Sequence, residues 1–119
     1  MVVADAATDA PLDRDLPRLA ERATHLYQEV VQVFASAGED CGAATTKLAA
    51  LQKTYADVVA ANAKVLHDGR AKELRVALEP HADDLDAAAR AIVGSPTMKR
   101  CSPDHAFTDA FDELVGAPP

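Results

Sequence analysis

The chain has 119 residues, a formal charge of −7 and only three Phe, two Tyr and no Trp. That suits one acidic domain on a single core that needs no metal to hold it. An acidic chain without a Lys/Arg run is repelled by phosphate backbones, which excludes nucleic acid as a partner, and no apolar run approaches the ~20 residues that span a bilayer. Alanine, the best helix former, dominates and aromatic residues are scarce, so the fold class is all-α.

Residues 1–11 are small, polar and closed by Pro11, and read as a flexible N-terminal leader ahead of a single domain over 12–119. The opening MVVADAATDAP lacks a basic n-region and a long apolar stretch, so a signal peptide is absent from this chain. The expectation is an exported domain, periplasmic or secreted, whose leader follows a removed signal. Leu12 after Pro11 suggests a short extra turn.

The first long pattern is Leu16, Leu19, Ala23, Leu26, Val30, Val33 and Ala37, spaced by three and four, with Glu21, Arg22, His25 and Gln28 opposite. It predicts an amphipathic helix over 15–37. Pro17 fits its first turn, where a missing N–H costs nothing, and Gly38 ends it.

Ala44, Leu48, Leu51, Tyr55, Val58, Asn62 and Val65 predict a second helix over 42–67, capped by Asp40 or Cys41 and stopped at Asp68-Gly69. Leu74, Leu78, His81, Leu85, Ala88 and Ile92 predict a third over 70–93. Pro80 interrupts it, because an interior proline deletes a hydrogen bond and crowds the preceding turn. The helix is therefore kinked or split near Pro80, and the unbroken stripe favours a kink. Ser102-Pro103-Asp104 reads as cap, first turn and dipole-complementing acid of a fourth helix that ends near 116. Its apolar side is Phe107, Ala110, Phe111, Leu114 and Val115. Four such helices with short links predict an antiparallel up-down-up-down four-helix bundle.

In that topology Cys41 and Cys101 begin the second and fourth helices at the same end. A disulfide between them would contribute roughly 4 kcal/mol by restricting the unfolded chain, and implies an oxidising compartment. A rival reading gathers Cys41, Met98, Cys101 and His105 at that end as soft ligands for copper or zinc. Met98 there lies in a loop. The spacing matches no zinc pattern, so the leading expectation is no cofactor, with Ser102, Pro103 and Asp104 explained by helix initiation and His105 left exposed. Asn62 and His81 fall on apolar stripes, where a polar group needs a partner. His81 and Tyr55 come at similar heights and are expected to hydrogen-bond across the second and third helices.

Enzyme signatures are missing: there is no HExxH, P-loop, GxSxG or dinucleotide fingerprint, and no Glu has a His three residues on. Ser36, Ser95 and Ser102 all fall at helix ends, as caps do. The functional expectation is a non-catalytic extracytoplasmic helical-bundle protein that binds another protein or a small ligand. The alternative is a soft-metal or redox protein using the Cys41/Cys101 end.

Overall fold

The computed structural model describes residues 11–115, and every regular element among them is helical. A 3₁₀ turn at Leu12–Arg14 leads into α1 (Leu16–Ala37). The Asp15 side chain caps α1 by accepting from the Arg18 N–H at 3.3 Å, and Pro17 lies in its first turn. Gly38 ends it with φ at +58°, a conformation that only glycine adopts without strain. At 1.5 Å per residue α1 runs for about 33 Å, most of the 45 Å long axis of the molecule.

Helices α2 (Cys41–Thr54) and α3 (Ala56–His67) return along α1. Helix α4 (Ala71–Leu78), a 3₁₀ turn at Glu79–His81, and α5 (Ala82–Val93) follow. The Arg70 guanidinium donates to the Asp13 carbonyl at 3.0 Å, so α4 starts beside the start of α1. Helices α6 (Pro96–Cys101) and α7 (His105–Val115) complete the described chain. No described helix is long and apolar enough to cross a membrane.

The core is the α1 stripe Leu19, Leu26, Val30 and Phe34 packed on Leu48 and Leu51 of α2, Val58 and Val65 of α3, and Phe107 and Leu114 of α7. Phe34 meets both aromatic rings of α7, with centroids 5.6 Å from Phe107 and 6.1 Å from Phe111. The α4–α5 segment adds only Leu74, Ala88 and Ile92 to the buried set. It packs chiefly on α1, whereas α7 packs chiefly on α2. The expected antiparallel neighbour of α4–α5 was the preceding helix pair. Helix α1 is its main neighbour instead, and α1 buries Ala20 and Thr24 outside its predicted stripe.

Three expected boundaries change. The helix over 42–67 is interrupted at Tyr55, whose φ of −109° and ψ of 24° leave the helical region. Helix α3 then starts at Ala56 without a side-chain cap, and within its first turn Asp57 accepts from the Val58 N–H at 2.9 Å. The helix over 70–93 is split by the 3₁₀ turn around Pro80 and not merely kinked, since proline supplies no N–H to continue the ladder. The fourth helix is not begun by Ser102 and Pro103. Ser102 instead closes α6, donating its N–H to the Met98 carbonyl at 3.0 Å, and α7 begins after Asp104, whose carboxylate accepts from the Phe107 N–H at 3.2 Å. The Ser-Pro start belongs one step earlier: Ser95 accepts from the Met98 N–H at 3.0 Å and Pro96 opens α6. Residues 1–10 of the expected leader, and the helix end expected near 116, lie outside the described residues.

The uneven core makes a prediction. Phe107 is wholly buried and Val93 is 73 % exposed. Phe107→Ala should cost about 3–5 kcal/mol in urea unfolding, and Val93→Ala within about 0.5 kcal/mol. Similar losses would contradict the assigned core.

Candidate functional site

Cys41 and Cys101 meet at the end where α1 stops, α2 starts and α6 stops. Asp40 caps α2 by accepting from the Ala43 N–H at 3.0 Å, and Cys41 is the first residue of that helix. Cys101 is the last residue of α6. The two are joined, with sulfurs 2.02 Å apart and Cα atoms 5.5 Å apart across 60 residues of sequence. Cys101 is fully enclosed and Cys41 half-buried.

A residue that sequence reasoning missed completes this end. Thr97 is wholly buried, and its hydroxyl is shared between the carbonyls of Phe34, at 2.9 Å, and Gly38. The Phe34 carbonyl already accepts from the Gly38 N–H at 3.0 Å, and Thr97 adds a second donor to this helix end from much later in the chain. The only sequence signal is its place directly after Ser95-Pro96, inside a first helical turn. Helix α6 is thus fastened twice, by a hydrogen-bonded threonine to α1 and by a covalent bond to α2.

The other expected ligands do not complete a metal centre here. Met98 lies in α6, not in a loop, and rests half-buried on the core, because α6 extends through the stretch read as a link. His105 is exposed at the start of α7. Bonded sulfurs are not thiolates, so in this state Cys41 and Cys101 offer a copper or zinc ion no soft anionic ligand. Beside them is an open hollow of about 530 Å³, lined by Glu39, Gly94, Pro96, Lys99, Arg100 and Pro103.

Asn62 and His81 are half-buried, and among the described residues neither side chain has a hydrogen-bond partner. The expected Tyr55–His81 bond is not formed. The Tyr55 hydroxyl donates instead to the Glu29 carboxylate of α1, at the break between α2 and α3. The Arg22 guanidinium lies 5.3 Å from the Tyr55 ring centroid and donates to both Asp57 carboxylate oxygens, at 3.0 and 3.2 Å. Four side chains therefore tie the α2–α3 junction to the middle of α1. The exposed ion pair contributes up to about 1 kcal/mol, and the stacked cation a similar amount.

Burial first, then the hydrogen bond to Glu29 and that carboxylate's charge, push the Tyr55 phenol from 10.0 up to about 12, while Arg22 pulls the other way. Burial alone raises Tyr27. A raised value means that the folded chain holds the phenolic proton more tightly than the unfolded chain. The stabilisation is complete below pH 10.0 and is lost as pH climbs through about 12. An alkaline phenolate-absorbance titration of the folded protein should show Tyr55 ionising near the upper value, and Tyr55→Phe should remove that step. A Tyr55 step at the ordinary phenol value would contradict the cluster.

Compared with family models, curated proteins and solved structures, the chain shows no match, so its function is argued from its own residues.

Proposed function

We propose that this chain is a non-catalytic, extracytoplasmic four-helix bundle that binds another macromolecule or a small ligand. Its four segments, α1, α2–α3, α4–α5 and α6–α7, alternate in direction: Arg70 ties the start of α4 to the start of α1, and Thr97 ties α6 to the end of α1. The observation that carries the reading is the Cys41–Cys101 pair. These are the chain's two cysteines, 60 residues apart, and the fold brings them within bonding distance. Such a bond persists in oxidising compartments and is kept reduced in most cytosols.

Residues of catalytic type also have structural work. Ser95 caps α6, Ser36 donates to the Val33 carbonyl at 3.1 Å, and Asp40 and Asp104 cap helices. Tyr55 and Glu29 satisfy each other. For binding, a cleft of about 360 Å³ runs between α1 and α5, walled by Ala87, Ala88 and Ala91 and rimmed by Gln28, Gln32 and Asp84. Short apolar walls with a polar rim are the usual make-up of a ligand-accepting surface.

Two measurements test the reading together. Intact mass without reductant should fall two hydrogens below that of the reduced chain, and the protein should fractionate outside the cytoplasm of its source cells. Two free thiols on a cytoplasmic chain would overturn it.

A further inference from the structure

The disulfide is built unevenly. Cys101, at the closed end of α6, is 0 % exposed, and Thr97 holds that helix down through the carbonyls of Phe34 and Gly38. Cys41 opens α2, is half-buried, and follows the Asp40 cap. The geometry points to Cys41 as the port for thiol–disulfide exchange in this fold, with a small monothiol and its disulfide as the reacting partners. The inference rests on the bonded state proposed above.

The chemistry balances in both directions. In reduction, a small thiolate attacks the Cys41 Sγ and forms a mixed disulfide there. The Cys41–Cys101 bond breaks, and its electron pair leaves on the Cys101 Sγ, which then takes a proton from solvent. A second thiolate releases Cys41. In formation, the Cys41 thiolate attacks a small disulfide, joins one half and expels the other as thiolate. The Cys101 thiolate then attacks the Cys41 Sγ and expels the second half, so the small disulfide is reduced by the two electrons that the protein loses.

Two effects compete over which sulfur is attacked. Attack on Cys101 would expel Cys41, the better leaving group, because a thiolate at a helix N-terminus is stabilised. Access acts the other way: Cys101 has no exposed surface, so attack there must wait until α6 lifts off its hydrogen bonds. Cys41 keeps part of its surface in solvent, so attack there is less hindered, but it leaves charge on an enclosed sulfur away from water, which slows departure. Access selects the sulfur, and the poor leaving group makes the exchange slow. The bond is guarded against solution thiols, yet the mixed disulfide that forms is on one residue.

The native oxidised protein, with its free thiols counted first, is incubated with reduced glutathione, acid-quenched and mapped by peptide mass. The adduct should lie on Cys41 in excess of the Cys101 adduct by on the order of tenfold, as access dictates. A Cys101 adduct in equal or greater amount would overturn the inference while leaving the disulfide intact. Two free thiols before glutathione is added would overturn the bonded state itself and the inference with it. As a second readout, Cys101→Ser should take up oxidised glutathione about tenfold faster than Cys41→Ser, and equal rates would overturn the port.

Discussion

The described structure depends on how one short helix is held. Helix α6 has six residues, too few to be stable alone in water, yet it joins α5 to α7 and sets where both lie. Thr97 ties it to the end of α1 by donating to the carbonyls of Phe34 and Gly38, and Cys101 makes it part of α2. A buried hydroxyl bonded to backbone contributes about 1 kcal/mol and would cost more if left unpaired. A cross-link over 60 residues contributes about 4 kcal/mol in the chain-entropy account. Against a net stability of roughly 5–15 kcal/mol for a domain, that is a large share from one corner.

From this corner the two sides of α1 differ. Toward α2, α3 and α7 the packing is deep: Phe34, Phe107 and Leu48 lie in one continuous core, with Phe111 packed against its edge. Toward α4–α5 it is thin, with three residues buried over two helices and Val76 and Val93 turned to solvent. Local stability follows buried apolar contact, so α4–α5 is the side that opens most readily. Its upper end is nevertheless fixed, because Thr97 follows α5 by only four residues and is anchored on α1. The Tyr55–Glu29–Arg22–Asp57 cluster performs the matching task on the deep side, fixing the helix break against α1 at mid-height.

Much of this was legible in residue spacing. The three-four rhythm from Leu16 to Ala37 and the stop at Gly38 reproduce α1 to within a residue, and Asp68-Gly69 and Gly94 end helices where expected. The expected pairing of Cys41 with Cys101 is present. Where two local signals are equal, spacing does not choose between them. Ser95-Pro96 and Ser102-Pro103 carry the same two letters, yet only the first pair starts a helix. The second follows Cys101, which is already committed to α2, and proline there can supply no N–H to carry the helix on. Tyr55 matches the apolar rhythm perfectly, so nothing in spacing announces that its hydroxyl will reach Glu29 or that the helix breaks there. Thr97 is invisible for a related reason: a threonine in a first helical turn is ordinary, and its worth comes from carbonyls 59 and 63 residues away.

The central question is whether the fastening of α6 holds α7 onto the core. Amide hydrogen exchange, followed residue by residue before and after reduction of the disulfide, tests this most directly. In the oxidised protein, the amides of Phe107 to Leu114 should be protected nearly as well as those of Leu26 to Phe34. After reduction, α7 should lose protection by about three orders of magnitude, the equivalent of the roughly 4 kcal/mol that the cross-link contributes, while the α1 amides lose much less. Unchanged protection across α7 on reduction would contradict it, and would mean that Phe107 and Leu114 hold that helix without the staple.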